Sequence, residues 1–362
     1  MHTQKILTCL CDKYTLGKII CDPLPVTGGL LHRMYHVTTD QGEYAIKLLN
    51  PDIMKRPEAM SNMIHSERIA AHIAAYFARS AENLSAESPL PVVAALEYSG
   101  QHLLSACPSV SDENGHPDTA PPQYALAYPW LDARSLFSPA IGAEHCRKIG
   151  HLLGQIHHAD FRLEGVKRET STRSPYDWQG YLAMAGEQKV PWLADYEAML
   201  ANLFRWDEAA VDAMETVNAF QVISHRDLDP KNILWQRTNP LIIDWEAAGY
   251  VNPYQELLEV INYWCRDEKG DYSPALCNAL LEEYIQFMDI QNADWEPVFA
   301  CSYDGMLGWL EYTLKKGLGL EGDEADCIQG AQQLMDTYRE LKRYDDQAAQ
   351  LRTMLAKAGQ KK

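Results

Sequence analysis

The chain has 362 residues, 46% of them hydrophobic and 23% charged, with a net charge of −18 at pH 7. That length supports one large or two medium domains of ordinary globular composition. So acidic a chain excludes the nucleic acid backbone as an expected partner, and the absence of any run of about 18 apolar residues excludes a transmembrane helix.

The first residues, MHTQKILTCLCDKY, lack the basic head, apolar stretch and cleavage site of a signal peptide. Nine cysteines are scattered without a CxxC pair. An odd, dispersed set points to a reducing cytoplasm rather than to a disulfide framework or a zinc site. Residues 17–49 read as three strands joined by tight turns, the first turn built on Gly28 and Gly29. In EYAIKLL, period-two alternation places Ala45 and Lys47 on one face. Residues 57–79 read as a helix with Pro57 in its first turn. Steps of four and three from Met60 give Ile64, Glu67, Ala71, Ala74 and Ala78. Glu67 therefore lies in an apolar stripe, where a carboxylate is costly without a cation, and Lys47 is its expected partner.

The turn-rich stretch 107–123 reads as a long hairpin tip, with YALAY at 124–128 as its second strand. After Trp130 the pattern turns helical. Cys146, Ile149, Leu153 and Ile156 keep helical spacing, and 192–218, 253–265, 275–292, 296–316 and 325–357 follow suit. Only 221–243 interrupts them. The expected organisation is a β-rich lobe over 1–128, a hinge at 129–134 and a helical lobe over 135–362. The last helix, with Tyr344 as a candidate break, holds too few clean heptads for a coiled coil. It is expected to close the large lobe of a monomer or weak homodimer.

The stretch VISHRDLDPKNILW, residues 222–235, crowds charge between two apolar runs. His225-x-Asp227-x4-Asn232, followed by Asp244 at the end of the next apolar run, resembles the catalytic loop and metal-binding aspartate of the kinase superfamily. Phosphoryl transfer requires positioning and charge neutralisation more than covalent help. In that reading Asp227 is the base, Asn232 and Asp244 supply oxygen ligands for Mg²⁺, and His225 and Arg226 brace the loop. A strand lysine held by a helix glutamate, here Lys47 and Glu67, orients nucleotide phosphates in such enzymes.

The whole set, from TGGLLHRMY through YAIK, YPWLDARSL and HRDLDPKN to IIDWEAAGYVNPYQELLEV and GWLEY, resembles the aminoglycoside phosphotransferase and choline kinase-like family. The resemblance implies an α+β, bilobal protein kinase-like fold with a small β-rich N-terminal lobe and a larger, mainly helical C-terminal lobe. It further implies ATP as donor, Mg²⁺, and a small-molecule hydroxyl as acceptor. Backbone amides of Gly28 and Gly29 would approach the phosphates, and adenine would dock on Ala127, Tyr128 and Trp130 beneath Ala45. Departures from protein kinases argue against a protein substrate. Asp229 stands where serine/threonine kinases usually carry lysine, Trp245-Glu246 replaces Phe-Gly after Asp244, and no APE-like segment follows. Asp229, Glu246 and Glu311, with Glu256, Glu259 and Asp304 nearby in the motifs, suit a cationic acceptor such as an amino sugar or amine alcohol. The alternatives are a housekeeping kinase of choline, homoserine, a thiosugar or a glycated amine, and a non-catalytic nucleotide-binding regulator. Trp245, Trp309 and Tyr312 are expected in the core.

Overall fold

Leu7, Leu10, Cys11 and Tyr14 repeat at three- and four-residue steps and are all buried, so the chain begins with a helix, α1 (His2–Lys13), ahead of every element expected from sequence. The computed structural model describes residues 2–26, 32–81, 90–105, 123–168, 170, 172–322 and 324–360. Gly28, Gly29 and all but the last residue of the 107–123 hairpin tip lie outside them. Two compact units divide the chain. One is Met1–Leu136 with Leu163–Val166 and His225–Gly249, and the other is Phe137–Arg162, Lys167–Ser224 and Tyr250–Lys362.

The first unit is built on an antiparallel sheet of β1 (Leu24–Val26), β2 (Arg33–Thr38), β3 (Glu43–Leu48), β4 (Leu104–Ser105) and β5 (Tyr124–Pro129), in the order β1-β2-β3-β5-β4. Alternation along β3 sends Ile46 and Leu48 into a core with the α1 residues, Val37, Ala125 and Ala127. Leu126, the register partner of Lys47, packs instead with Met63. A short α2 (Pro51–Met54) leads to α3 (Ala59–Ala81). The buried face of α3 is Met63, Ser66, Glu67, Ile69, Ala70, Ile73 and Phe77, while Ile64 is 42% exposed. The stripe starts at Met63 rather than Met60, and Glu67 belongs to both readings because four residues from Met63 complete one turn.

The second unit is mainly helical: α4 (Ala143–His158), α5 (Trp178–Gln188), α6 (Leu193–Asn218) and β6 (Val222–Ser224) precede the charged-loop segment. That segment, in the first unit, holds a 3₁₀ turn at Pro230–Asn232, β7 (Ile233–Gln236), β8 (Asn239–Ile242) and a second 3₁₀ turn at Trp245–Ala247. After β9 (Gly249–Val251) come α7 (Pro253–Trp264), α8 (Pro274–Tyr284), α9 (Trp295–Cys301), α10 (Asp304–Gly317) and α11 (Glu324–Gly359). The helix expected over 275–292 thus ends at Tyr284, and the one over 296–316 is split. At the split, the Ser302 hydroxyl turns back to the carbonyl of Phe299 at 2.6 Å, a local bond that competes with helix continuation. α11 is unbroken, and Tyr344 is buried rather than a break. Among the described residues no helix is long and apolar enough to cross a membrane.

Candidate active site

The β7–β8 hairpin assembles the charged loop. Ile233 pairs with Ile242 at its open end, so the flanking residues meet, and Ile243 N donates to Asn232 O at 3.0 Å. Asn232 and Asp244 are thereby brought to one end of the ribbon. Neighbouring backbone holds it on both sides: Trp235 N donates to Arg134 O at 2.8 Å, and Ile242 N donates to Pro91 O at 2.7 Å.

His225 is fully buried. Its Nδ1 accepts from Asp227 N at 3.3 Å, so Nε2 carries the proton and donates to Ile243 O at 2.9 Å. The imidazole therefore joins the backbone of Asp227 to the residue before Asp244. Arg226 and Asp244 both adopt left-handed backbone, at φ +68° and +60°. Such strain in non-glycine residues persists only where the surroundings impose it. The exposed Arg226 side chain lies against Gly249, where a methyl would come 3.0 Å from Nη1.

Buried Asn232 spends its amide protons on Asp227, donating to the backbone carbonyl and to Oδ2, each at 2.9 Å. Its own Oδ1 is left as an acceptor or ligand. Lys231 Nζ lies 3.2 Å from the same Oδ2. Asp227 Oδ1 carries no partner among the described residues. Asp229, expected toward the acceptor, instead caps the Pro230–Asn232 turn, its Oδ1 accepting from Lys231 N at 2.8 Å.

The expected Lys47–Glu67 ion pair does not form. Lys47 Nζ donates to Asp244 Oδ1 at 2.8 Å and to Glu246 Oε2 at 2.9 Å. Burial works against the ammonium, but these two carboxylates outweigh it and raise its pKa. Glu67 is satisfied by neutral donors, Tyr128 Oη at 2.8 Å and Ala95 N at 3.3 Å, and burial raises its carboxyl. Glu246, expected toward the acceptor, is thus a partner of the sheet lysine. Its second donor is His32, whose Nδ1 accepts from Asn50 N at 3.0 Å, so that Nε2–H faces Glu246 Oε2 at 3.3 Å. The His32 contact, with Lys47 adding to it against burial, lowers the Glu246 carboxyl to about 2.

Register places His36, Ala45 and Tyr128 side by side on the Lys47 face of the sheet. Trp130 stacks on His36 with ring centroids 3.8 Å apart. Ala127 turns the other way, into the core under α1, so it offers that face no side chain. His32, His36 and Lys231 escaped the sequence reading. Lys231 alone had a signal, its place inside the motif.

Glu311 belongs to the second unit, where it accepts from the Tyr181 hydroxyl and pairs with Lys315 at 2.7 Å. Glu256 is buried against His157 Nε2 at 2.8 Å, and Asp304 accepts from Arg173 Nε at 2.9 Å. Trp245 is in the core as expected. Trp309 and Tyr312 are not: they are 49% and 37% exposed, with rings 5.3 Å apart.

Solved structures share this fold. Spectinomycin phosphotransferase, crystallised with ADP and spectinomycin, aligns with a TM-score of 0.64 at 13% identity over 92% of this chain and 93% of its own. A microcompartment-associated aminopropanol kinase gives 0.55 at 13% over 98% of each chain. Choline kinase from Cryptosporidium parvum gives 0.54 at 12% over 95% and 97%. The architecture is therefore the protein kinase-like fold found among small-molecule kinases. The model of the phosphotransferase enzyme family matches residues 23–296, and the chain belongs to that family. Among curated relatives, a homoserine kinase of Methylobacterium radiotolerans is 26% identical over 237 residues, 64% of this chain and 65% of the relative. One of Pseudomonas aeruginosa is 27% identical over 175 residues, 47% of this chain. The match spans only 52% of that second relative's length.

Proposed function

We propose that the protein is an ATP- and Mg²⁺-dependent phosphotransferase that acts on a hydroxyl of a small, cationic molecule, an amino sugar or amine alcohol. The observation that carries this reading is the clamp on Asp227. Asn232 fixes its carboxylate by Oδ2 while Oδ1 stays open to a hydroxyl. Asp227 takes the proton of the acceptor hydroxyl, and Lys47, drawn to the ribbon by Asp244 and Glu246, orients the phosphates of the nucleotide.

Among the described residues no three His, Cys, Asp or Glu side chains converge as a ready metal centre. That suits Mg²⁺, which takes one or two carboxylates and completes its shell with phosphate oxygens and water. Asn232 Oδ1 and Asp244, both hard oxygen donors, would hold it. When bound, it neutralises charge on the donor phosphates. Residues 1–128 serve in this reading as the nucleotide lobe and 135–362 as the lobe of catalysis and acceptor binding, joined by the hinge at 129–134. The chain acts in the cytoplasm.

The acidity of the chain favours a cationic acceptor, and the solved neighbours are named for spectinomycin, aminopropanol and choline. A second reading, a housekeeping kinase of a hydroxy amino acid, is favoured by the homoserine kinases among the sequence relatives. A screen of ATP consumption against homoserine, choline, aminopropanol and amino sugars tests both. Turnover with an amine alcohol or amino sugar above homoserine supports the first, and the reverse order the second. Asp227→Asn must abolish the signal by about 10²-fold or more. Undiminished transfer by that variant contradicts the role given to Asp227.

A further inference from the structure

We infer that Lys231 is a catalytic residue whose ammonium binds the transferred phosphoryl group beside Asp227, an inference that rests on the phosphotransferase reading and deepens it. Two residues after the base, where serine/threonine protein kinases place a cation, this chain has Asp229. That carboxylate caps the turn that follows, its Oδ1 accepting from Lys231 N at 2.8 Å. The same turn directs Lys231 back to the start of the loop, with Nζ 3.2 Å from Asp227 Oδ2 and the side chain 56% exposed. Lys47 is committed to Asp244 and Glu246. Lys47 thus serves the two carboxylates that follow the ribbon, and Lys231 is the lysine that stands at Asp227.

A lysine ammonium has three protons. One on Asp227 Oδ2 leaves two for phosphoryl oxygens, and the flexible four-carbon stem lets the head follow the group as it moves. In the step itself, the acceptor oxygen bonds to the γ-phosphorus while its proton passes to Asp227 Oδ1. The bond from that phosphorus to the β,γ-bridging oxygen breaks, and its electron pair leaves on ADP. Lys231 forms no covalent bond. It offsets the negative charge on the three equatorial oxygens as the group crosses. Because the Asp227 pair is so exposed, it contributes little to folding, and its loss is read in function.

Full-length Lys231→Met and Lys231→Arg test this, with ADP and a non-hydrolysable ATP analogue titrated calorimetrically and kcat measured with an acceptor from the screen. The Met variant is expected to lower kcat about 10²-fold and to weaken the triphosphate analogue about tenfold, with ADP affinity within about twofold of wild type. The Arg variant is expected to restore most of both. Unchanged kcat and analogue affinity in the Met variant overturn the inference, as does equal weakening of ADP and the analogue. If wild type binds the analogue but transfers to no acceptor, the phosphotransferase reading fails. The triphosphate-over-diphosphate comparison still decides Lys231. If wild type does not bind the analogue, both fall.

Discussion

Glu67 sits on α3 with its carboxyl buried between the Tyr128 hydroxyl and Ala95 N, and burial raises its pKa above the ordinary 4.5. A folded-state pKa above the unfolded one means that the folded state holds the proton more tightly. The resulting stability is fully present below 4.5 and is lost as pH rises through the folded value. Glu67→Gln, which keeps the shape without the titration, removes this loss. Urea midpoints taken upward from pH 4.5 are expected to fall for wild type relative to the variant and then to level off. Parallel midpoints at every pH contradict the shift. Lys47 belongs to the same scale. Lys47→Met is expected to cut kcat about 10²- to 10³-fold and to weaken ATP binding, as read by steady-state kinetics and titration, with the acceptor KM little changed.

Lys47, Asp227, Asn232 and Asp244 were legible as candidates because their chemistry follows motif order along the chain. The partner of Lys47 was not. Glu67 is twenty positions away with the right charge, but the contact depends on where the β7–β8 ribbon delivers Asp244 and Glu246. That placement is tertiary, set by backbone bonds of the ribbon to Pro91, Val93 and Arg134. The capping role of Asp229 also went unread: an Asp before Pro is a good turn cap, and here its Oδ1 caps the Pro230–Asn232 turn.

At the scale of elements, β5 and α3 are tied through Tyr128 and Glu67. Tyr128→Phe leaves a buried carboxyl oxygen without its donor and is expected to cost about 1–3 kcal/mol. A lower thermal midpoint checks this, and an unchanged one contradicts it. In the second unit, α4 and α8 approach so closely at Gly150 that a methyl there would overlap the carbonyl of Leu280. Gly150→Ala is expected to destabilise by about 1–3 kcal/mol, because backbone rather than a movable side chain is in the way. Chemical denaturation measures the difference, and a variant as stable as wild type contradicts so tight a crossing. Period-two alternation predicted β3 and its Lys47 face. Helix ends were harder. A serine hydroxyl bonds back to its own helix at the break between α9 and α10, a detail no periodicity carries, and α1 was missed because its short apolar stripe resembles no motif.

For the whole molecule, the described site residues from Lys47 to Glu246 fall in one compact unit, although the chain leaves that unit for most of residues 137–224 between them. The proposed chemistry is accordingly readable from that unit alone, whereas the acceptor-binding carboxylates read from sequence lie partly in the second, mainly helical unit. The carboxylates singled out there are held by neighbours: Glu311 by Tyr181 and Lys315, Glu256 by His157, Asp304 by Arg173. Charge counting along the sequence could not reveal Tyr181, His157 and Arg173 as partners, because each lies on a different helix or loop from its carboxylate, whereas Lys315 follows Glu311 by one turn of α10. The most direct test of the central claim is phosphorus NMR of full-length protein with ATP, Mg²⁺ and the panel of amine alcohols, amino sugars and homoserine. The account predicts a new phosphomonoester signal growing in step with ADP for at least one acceptor, absent with Asp227→Asn. ATP bound but never transferred to any of them, or a signal that persists in that variant, would contradict it.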